Sequence, residues 1–445
     1  MISWGAILLL AVNTAAAEPP TAGSQRDAIA LAGQSQLSAP ELGDTLDAYL
    51  AYALSNSPSV RAAFARWQAA VHRIAPIGVL PDPTVGFGVF VRSVETRVGP
   101  QQARVSVQQA FPWPTALTAS RGAATDEALA AQHAFDAEVR GVMSGVEQAY
   151  WDLWELRTTR ATHVRHIDVL DGLSSTLGAR LEVGTATLAD LQQIDLSNAR
   201  LADRIASMDA REQSLVAELR RQVGIADRAP MPTSTNPAPT ARPEDNLSVL
   251  TERALQHPMQ LAAVARTEAA QDVTRAARAQ RMPGLTLGAD WMLTGPAVMP
   301  GVADSGKDAV AATVGVRIPL WQRAGAERVR AAQAVVGVRE AEQDAVNVRI
   351  IAVLDQVLAR LNDSARRVQI NEGTLLPQAE ATYDSLLGSL AVNQGSVAQV
   401  LLTQRDLLEL RVDADMARAD HARAWSALTD LVGTVVHSVP ETSND

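Results

Sequence analysis

The chain contains no cysteine. Disulfides, zinc–thiolate sites, thiol nucleophiles and an N-terminal lipidated cysteine are thereby excluded. A basic surplus is missing as well. Over 445 residues the formal net charge is −10, which disfavours nucleic-acid binding through a basic surface. No stretch reaches the roughly eighteen uninterrupted apolar residues that a membrane-spanning helix requires. Local enzyme signatures are absent too. There is no glycine-rich phosphate loop between strand and helix and no H-E-x-x-H pair, and the few histidines are scattered. The expectation is a protein that is not an enzyme and has no cofactor.

What is present is one pattern written twice. LSNSPSV at 54–60 is answered by ALQHPMQL at 254–261, and Pro58 stands 200 positions before Pro258. The same offset carries Pro83 onto Pro283 and Gly88 onto Gly288. Phe111–Pro114 (FPWP) answers Ile318–Trp321 (IPLW), Gly184 answers Gly395, and Val223-Gly224 answers Val432-Gly433. Each copy runs through two short helical patterns, two alternating strands, one very long helix, a glycine and a second long helix, a mixed α and β duplication. The organisation reads as a signal peptide over 1–17, a lead-in over 18–44, a first repeat over 45–224, a proline-rich linker over 225–246, a second repeat over 247–433 and a tail over 434–445. The signal assignment rests on the apolar Ala6–Val12 and the Ala15-Ala16-Ala17 cleavage pattern before Glu18. No basic residue precedes Arg26, as a misplaced start codon would explain.

In the first repeat, helices flank Ser57-Pro58, where proline suits a first helical position. Val85, Phe87, Val89 and Val91 alternate with Thr84, Gly86, Gly88 and Phe90. Val105 and Val107 continue the alternation to Phe111, and Ser93–Arg104 reads as a turn, giving a hairpin over about 83–112. From Thr115 the period changes. Val139, Val142, Val146, Ala149, Leu153 and Leu156 open a 3-4 seam that runs through His163 to Leu181 and predicts a helix over about 115–183. About 65 residues at roughly 1.5 Å each make a rod of about 100 Å. A return helix follows over about 186–224. The second repeat predicts strands within 284–319, joined by a Gly- and Pro-rich loop from Thr294 to Asp308, then helices over about 322–393 and 396–433. Gly373 and Pro377 are expected to break or bend the first of these.

Four strands of about ten residues suit a tilted membrane strand, yet four strands cannot close, and bare strand edges are not tolerated in lipid. Sister chains must then complete the ring; three copies would supply twelve strands, within the known range. One strand face carries Val, Leu, Phe and Trp for lipid. The other carries Gly, Thr, Asp and Gln for a wet lumen. Trp113 and Trp321 fall where strand gives way to helix, the place for an interfacial aromatic girdle.

A family resemblance is carried by LDAYLAYALSNSPSVRAA, LPDPTVGFGV, VSVQQAFPWP, RLEVGTATLADLQQ, VRIPLWQRAGAERVRAA and LPQAEATYDSLLGSLAVNQGSVAQVLLTQRDLLEL, in this order between Thr45 and Gly433. The chain resembles the TolC-like outer-membrane efflux proteins, and FPWP most resembles their heavy-metal-efflux branch. The resemblance implies a homotrimer with a twelve-stranded barrel in the lipid of the Gram-negative outer membrane and a long antiparallel α-helical tunnel in the periplasm. It implies an exit duct that docks through a periplasmic adaptor onto an inner-membrane transporter. It places adaptor contacts at the helical hairpin tips: Arg180, Val183, Gly184 and Thr185 on one, Asn393, Gln394, Gly395 and Ser396 on the other. It suggests acidic constriction residues at Asp190 and Glu182, whereas Gln399 and Leu402 stand where the other hairpin would carry carboxylates. The competing readings are a duct of a type I protein secretion system and a soluble periplasmic coiled-coil scaffold with an ordinary small sheet.

Other constellations have plainer explanations. His163 and His166 are spaced for metal ligation on a helix, but without a third ligand they read as packed seam histidines, and no metal site is expected. Met282, Met292 and Met299 read as strand or loop residues, and Trp151 and Trp154 as core.

Overall fold

The computed structural model describes residues 43–433, apart from 227, 229, 237–239, 241 and 393, together with 437–438. The signal peptide, nearly all of the lead-in, most of the tail and the tip residue Asn393 therefore lie outside the described residues. In chain order the elements are α1 (Leu46–Asn56), α2 (Pro58–Ile77), β1 (Thr84–Val89), β2 (Glu95–Thr96), β3 (Gly99–Phe111), α3 (Pro114–Glu182) and α4 (Leu188–Val223). There follow β4 (Arg242–Pro243), α5 (Leu247–Leu255), α6 (Pro258–Ala279), β5 (Gly284–Thr294), β6 (Ala309–Arg317), α7 (Gln322–Ile370), a π-helical segment (Asn371–Leu375), α8 (Leu376–Ala391), α9 (Val397–Val432) and β7 (His437–Ser438). Contacts group these into two compact units, each drawing on both sequence halves: one of Phe64–Ala134 with Met259–Val346, the other of the described remainder.

The first unit holds an antiparallel sheet in the order β1-β3-β5-β6, with the short β2 also paired to β3. Strand parity is in register across all four strands. Phe87, Val105, Trp291 and Val310 form one rank, and Val85, Val107, Ala289 and Ala312 another. The alternate parity aligns Gly86, Ser106, Asp290 and Ala311, and likewise Thr84, Gln108, Gly288 and Thr313. One expectation is corrected here. Ser93–Arg104 is not all turn, because β3 begins at Gly99 and pairs with β2 through Pro100 and Gly99. Proline lacks the amide hydrogen but is tolerated at the start of a strand. The unit's helical parts bury alanines, among them Ala128, Ala130, Ala262 and Ala265. Small contact residues let helix axes approach closely.

The second unit is helical. Its main core joins Tyr49 from α1, Val146, Tyr150, Leu153 and Trp154 from α3, Leu219 and Val223 from α4 and Ala419 from α9. The 3-4 seams explain which faces are inside: Ile350, Leu354, Val357, Leu361, Ser364 and Val368 of α7 are all buried. A second core nearer the hairpin ends joins Leu170, Leu177, Ile194, Leu390, Val400 and Leu408. Fully burying each such leucine contributes about 1.5–3 kcal/mol.

Two features of this unit depart from a simple reading of prolines. Pro377 and Gly373 do not end the helix; the backbone passes through the π-helical turn, where Leu376 N donates to Asn371 O. A proline ring collides with the carbonyl four residues before it, here that of Gly373. The wider π turn displaces that carbonyl and keeps the helical path. The linker is no loose spacer either. Met231 is buried in the main core. Tyr49 donates to Pro232 O at 2.7 Å, Trp154 Nε1 to Asn236 O at 3.0 Å, and Arg157 Nη1 to Met231 O at 2.7 Å. Arg157 also reaches Thr233 and Glu212. Further along, β4 pairs with β7.

Candidate functional site

The sheet leaves its apolar ranks uncovered. Phe87 is 80% exposed, and Val85, Val89, Val107, Leu287, Trp291, Val310, Val314 and Val316 are exposed with it. A contiguous apolar surface of this kind marks an interface with lipid or protein. Strands β1 and β6 stand at the ends of the strand order, so each keeps one side without a strand partner among the described residues. Trp113 lies between β3 and α3, and Trp321 between β6 and α7, where it is 83% exposed. Among the described residues no helix is long and apolar enough to cross a membrane.

On the opposite parity, Arg104 donates from Nε and Nη2 to Asp290 Oδ1 at 3.0 and 2.6 Å. Sequence reasoning missed this pair. In the sequence Arg104 falls at the end of the Ser93–Arg104 turn pattern, and only the parity of the register aligns it with the polar face. Met292 lies on the same face and accepts a contact from Gln101 Nε2 at 3.5 Å. Met282 precedes β5 and Met299 belongs to the β5–β6 loop; both are exposed.

The hairpin ends are built differently from each other. At the first, Gly184 adopts φ of +75°, Gly184 N donates to Leu181 O and Thr185 N to Arg180 O. This left-handed helix stop favours glycine. Val183, Gly184, Thr185 and Glu182 are exposed. Thr187 caps α4 in a reciprocal box with Asp190: Asp190 N donates to Thr187 Oγ1 at 3.2 Å, and Thr187 N to Asp190 Oδ2 at 3.0 Å. The Asp190 carboxylate thus has a local structural task. At the second end Gln394 N donates to Ser389 O, and Ser396 starts α9 without a side-chain cap. Here Gly395 is needed for space, since an added Cβ would lie 2.6 Å from Leu390 N. Arg180 joins the two ends. Its Nη2 donates to Leu390 O at 2.7 Å, at the C-terminus of α8, where a cation is favoured. Beside it an open groove of about 270 Å³ runs between Leu173 and Thr176 of α3 and Tyr383 and Leu387 of α8.

His163 and His166 are buried, and Gln404 Nε2 lies 3.3 Å from His166 Nδ1. Burial, reinforced by His163 and Arg411, pushes His166 down to about 4; burial, with Arg140, pushes His257 down to about 4. An unfolded histidine titrates near 6.5. Between those values the unfolded chain binds protons that the folded chain does not. Stability is therefore fully present above about 6.5 and is lost as pH falls toward about 4, by on the order of 3 kcal/mol per histidine. Asp415, Asp430 and Glu147, raised by burial, take up protons in the folded state and offset part of the loss at the acid end. His166→Gln is expected to shrink the drop in denaturant midpoint between pH 7 and pH 5, followed by helical circular dichroism. An unchanged drop would contradict this assignment.

Comparison of the sequence with protein-family profiles and with curated proteins gives no match. Solved structures match in fold. The outer membrane protein VceC from Vibrio cholerae aligns with a TM-score of 0.69 at 20% identity, over 88% of this chain and 96% of VceC. CusC, described with transmembrane channel formation, aligns with a TM-score of 0.74 at 14% identity, over 90% of this chain and 96% of its own. The open state of the Neisseria gonorrhoeae MtrE outer membrane channel aligns with a TM-score of 0.61 at 14% identity, over 90% and 94%. With its antiparallel sheet and long helical hairpins, this chain has the fold of outer-membrane channel proteins.

Proposed function

We propose that this protein is the outer-membrane channel of a tripartite efflux system. Three copies close a twelve-stranded barrel, and their helices form a periplasmic tunnel. The duct is passive: it receives substrate from an inner-membrane transporter through a periplasmic adaptor that meets the hairpin ends. One observation carries the reading, namely the sheet of four long strands with an exposed apolar face and two edges without a strand partner among the described residues. Such a sheet is unsustainable in lipid unless closed and unfavourable in water unless covered. The fold of VceC, CusC and MtrE supports the same reading. The finer assignment to a heavy-metal branch rests on the FPWP segment alone.

Opening then requires α8 to move against α3 at the hairpin ends, a shift between two packings. Thr176 and Leu387 line one groove, and the chain has no competing thiol. In Thr176→Cys with Leu387→Cys, joining the two thiols with a short bifunctional reagent is expected to abolish export from cells while trimers persist. Export at the unlinked rate would refute the gating step.

A further inference from the structure

The four long strands carry three charged side chains, Arg104, Asp290 and Arg317, and all three share the polar parity. They are not equally presented. Asp290 is sunk into the sheet at 3% side-chain exposure, while its partner Arg104 keeps 45%. Arg317 is exposed at the end of β6, opposite Gly284. Strand β1 contributes no charge, and Gly88 stands opposite Arg104, so no side chain on β1 covers the guanidinium from that position. In a chain of net charge −10, this face carries a net positive charge, with two guanidinium groups more openly presented than its one carboxylate.

We propose that the polar sheet face is an anion-preferring stretch of channel wall. Arg104 and Arg317 face the permeating solute, and Asp290 is a positioning residue that holds Arg104. This rests on the reading of that face as lumenal. Three copies set one ring of Arg104 and one of Arg317 around the lumen. A net surplus of fixed charge of one sign along a pore concentrates ions of the other sign. Anionic solutes suit this wall best, and a free divalent metal cation suits it least.

The absence of cysteine allows a direct test on the full-length protein in membranes. Ser106→Cys places a thiol two positions from Arg104 on the same face, about 7 Å away along the strand. Its reaction rates with an anionic and a cationic methanethiosulfonate reagent give a ratio that reads the local potential. Adding Arg104→Gln should lower the anion-to-cation ratio severalfold at low ionic strength and about twofold at physiological salt, while Arg104→Lys should preserve it. Thr286→Cys, two positions from Gly284 where Arg317 pairs, reports on Arg317→Gln in the same way and decides the matter if Arg104→Gln fails to fold. A reactive thiol whose ratio ignores these substitutions overturns the anion preference. A thiol at 106 that reacts with neither reagent, while Val107→Cys reacts with both, overturns the lumenal reading itself.

Discussion

Under the proposed function, Phe87→Arg is expected to remove the protein from the outer membrane. Phe87 lies on the edge strand β1, at the end of an apolar rank with Val105, Trp291 and Val310, in which Phe87, Trp291 and Val310 are exposed. An arginine at the lipid face of a barrel costs about 2–4 kcal/mol near the bilayer midplane. In the proposed trimer this cost arises three times in one assembly. The expected result, read by membrane fractionation and by the oligomer band on unheated gels, is loss of the membrane-embedded trimer. Gln108→Arg, of opposite parity on the neighbouring strand, should leave both readouts unchanged. A soluble scaffold predicts the reverse for Phe87, since an arginine on a water-exposed strand surface is tolerated. Fractionation and oligomer bands unchanged by Phe87→Arg would therefore contradict the lipid-facing assignment of this rank.

The second large effect lies in the helical unit. Trp154→Ala is expected to destabilise it by about 3–5 kcal/mol, the usual cost of emptying a buried tryptophan site. Trp154 is 2% exposed and packs edge-on against Trp151 at 5.8 Å. Its indole also holds the linker at Asn236 O. Trp154→Phe keeps much of the packing and loses the hydrogen bond, which costs about 1 kcal/mol. Both changes should expose residues 231–236 to proteolysis, with the alanine variant far more sensitive. A linker that stays resistant in Trp154→Ala would mean that Tyr49, Tyr150 and Arg157 suffice to hold it.

Much of this architecture is legible in the residues because it is periodic. A 3-4 spacing such as Ile350, Leu354, Val357 and Leu361 leaves a helix one way to bury its apolar stripe. Strand parity at Val85, Phe87 and Val89 likewise fixes which face is apolar, since a one-residue slip would exchange the faces. The features that are not legible depend on residues far apart in sequence. The linker's prolines suggest a spacer, but its anchors Tyr49, Tyr150 and Arg157 lie 74 to 183 positions away. The Arg180 contact to Leu390 spans 210 positions. The π turn is half visible: Gly373 and Pro377 mark where the helical path must change, but the residues alone do not choose between a break and a wider turn. At the hairpin end, Thr187 three residues before Asp190 is a local capping signal, so a structural task for that carboxylate was readable beside the constriction suggested by resemblance.

The central claim is that the sheet of one chain is a third of a closed wall. Native mass spectrometry of protein extracted from membranes in mild detergent tests it most directly. The account predicts three copies per particle, and precipitation when the detergent is withdrawn. Single chains that stay dispersed in plain buffer would contradict it.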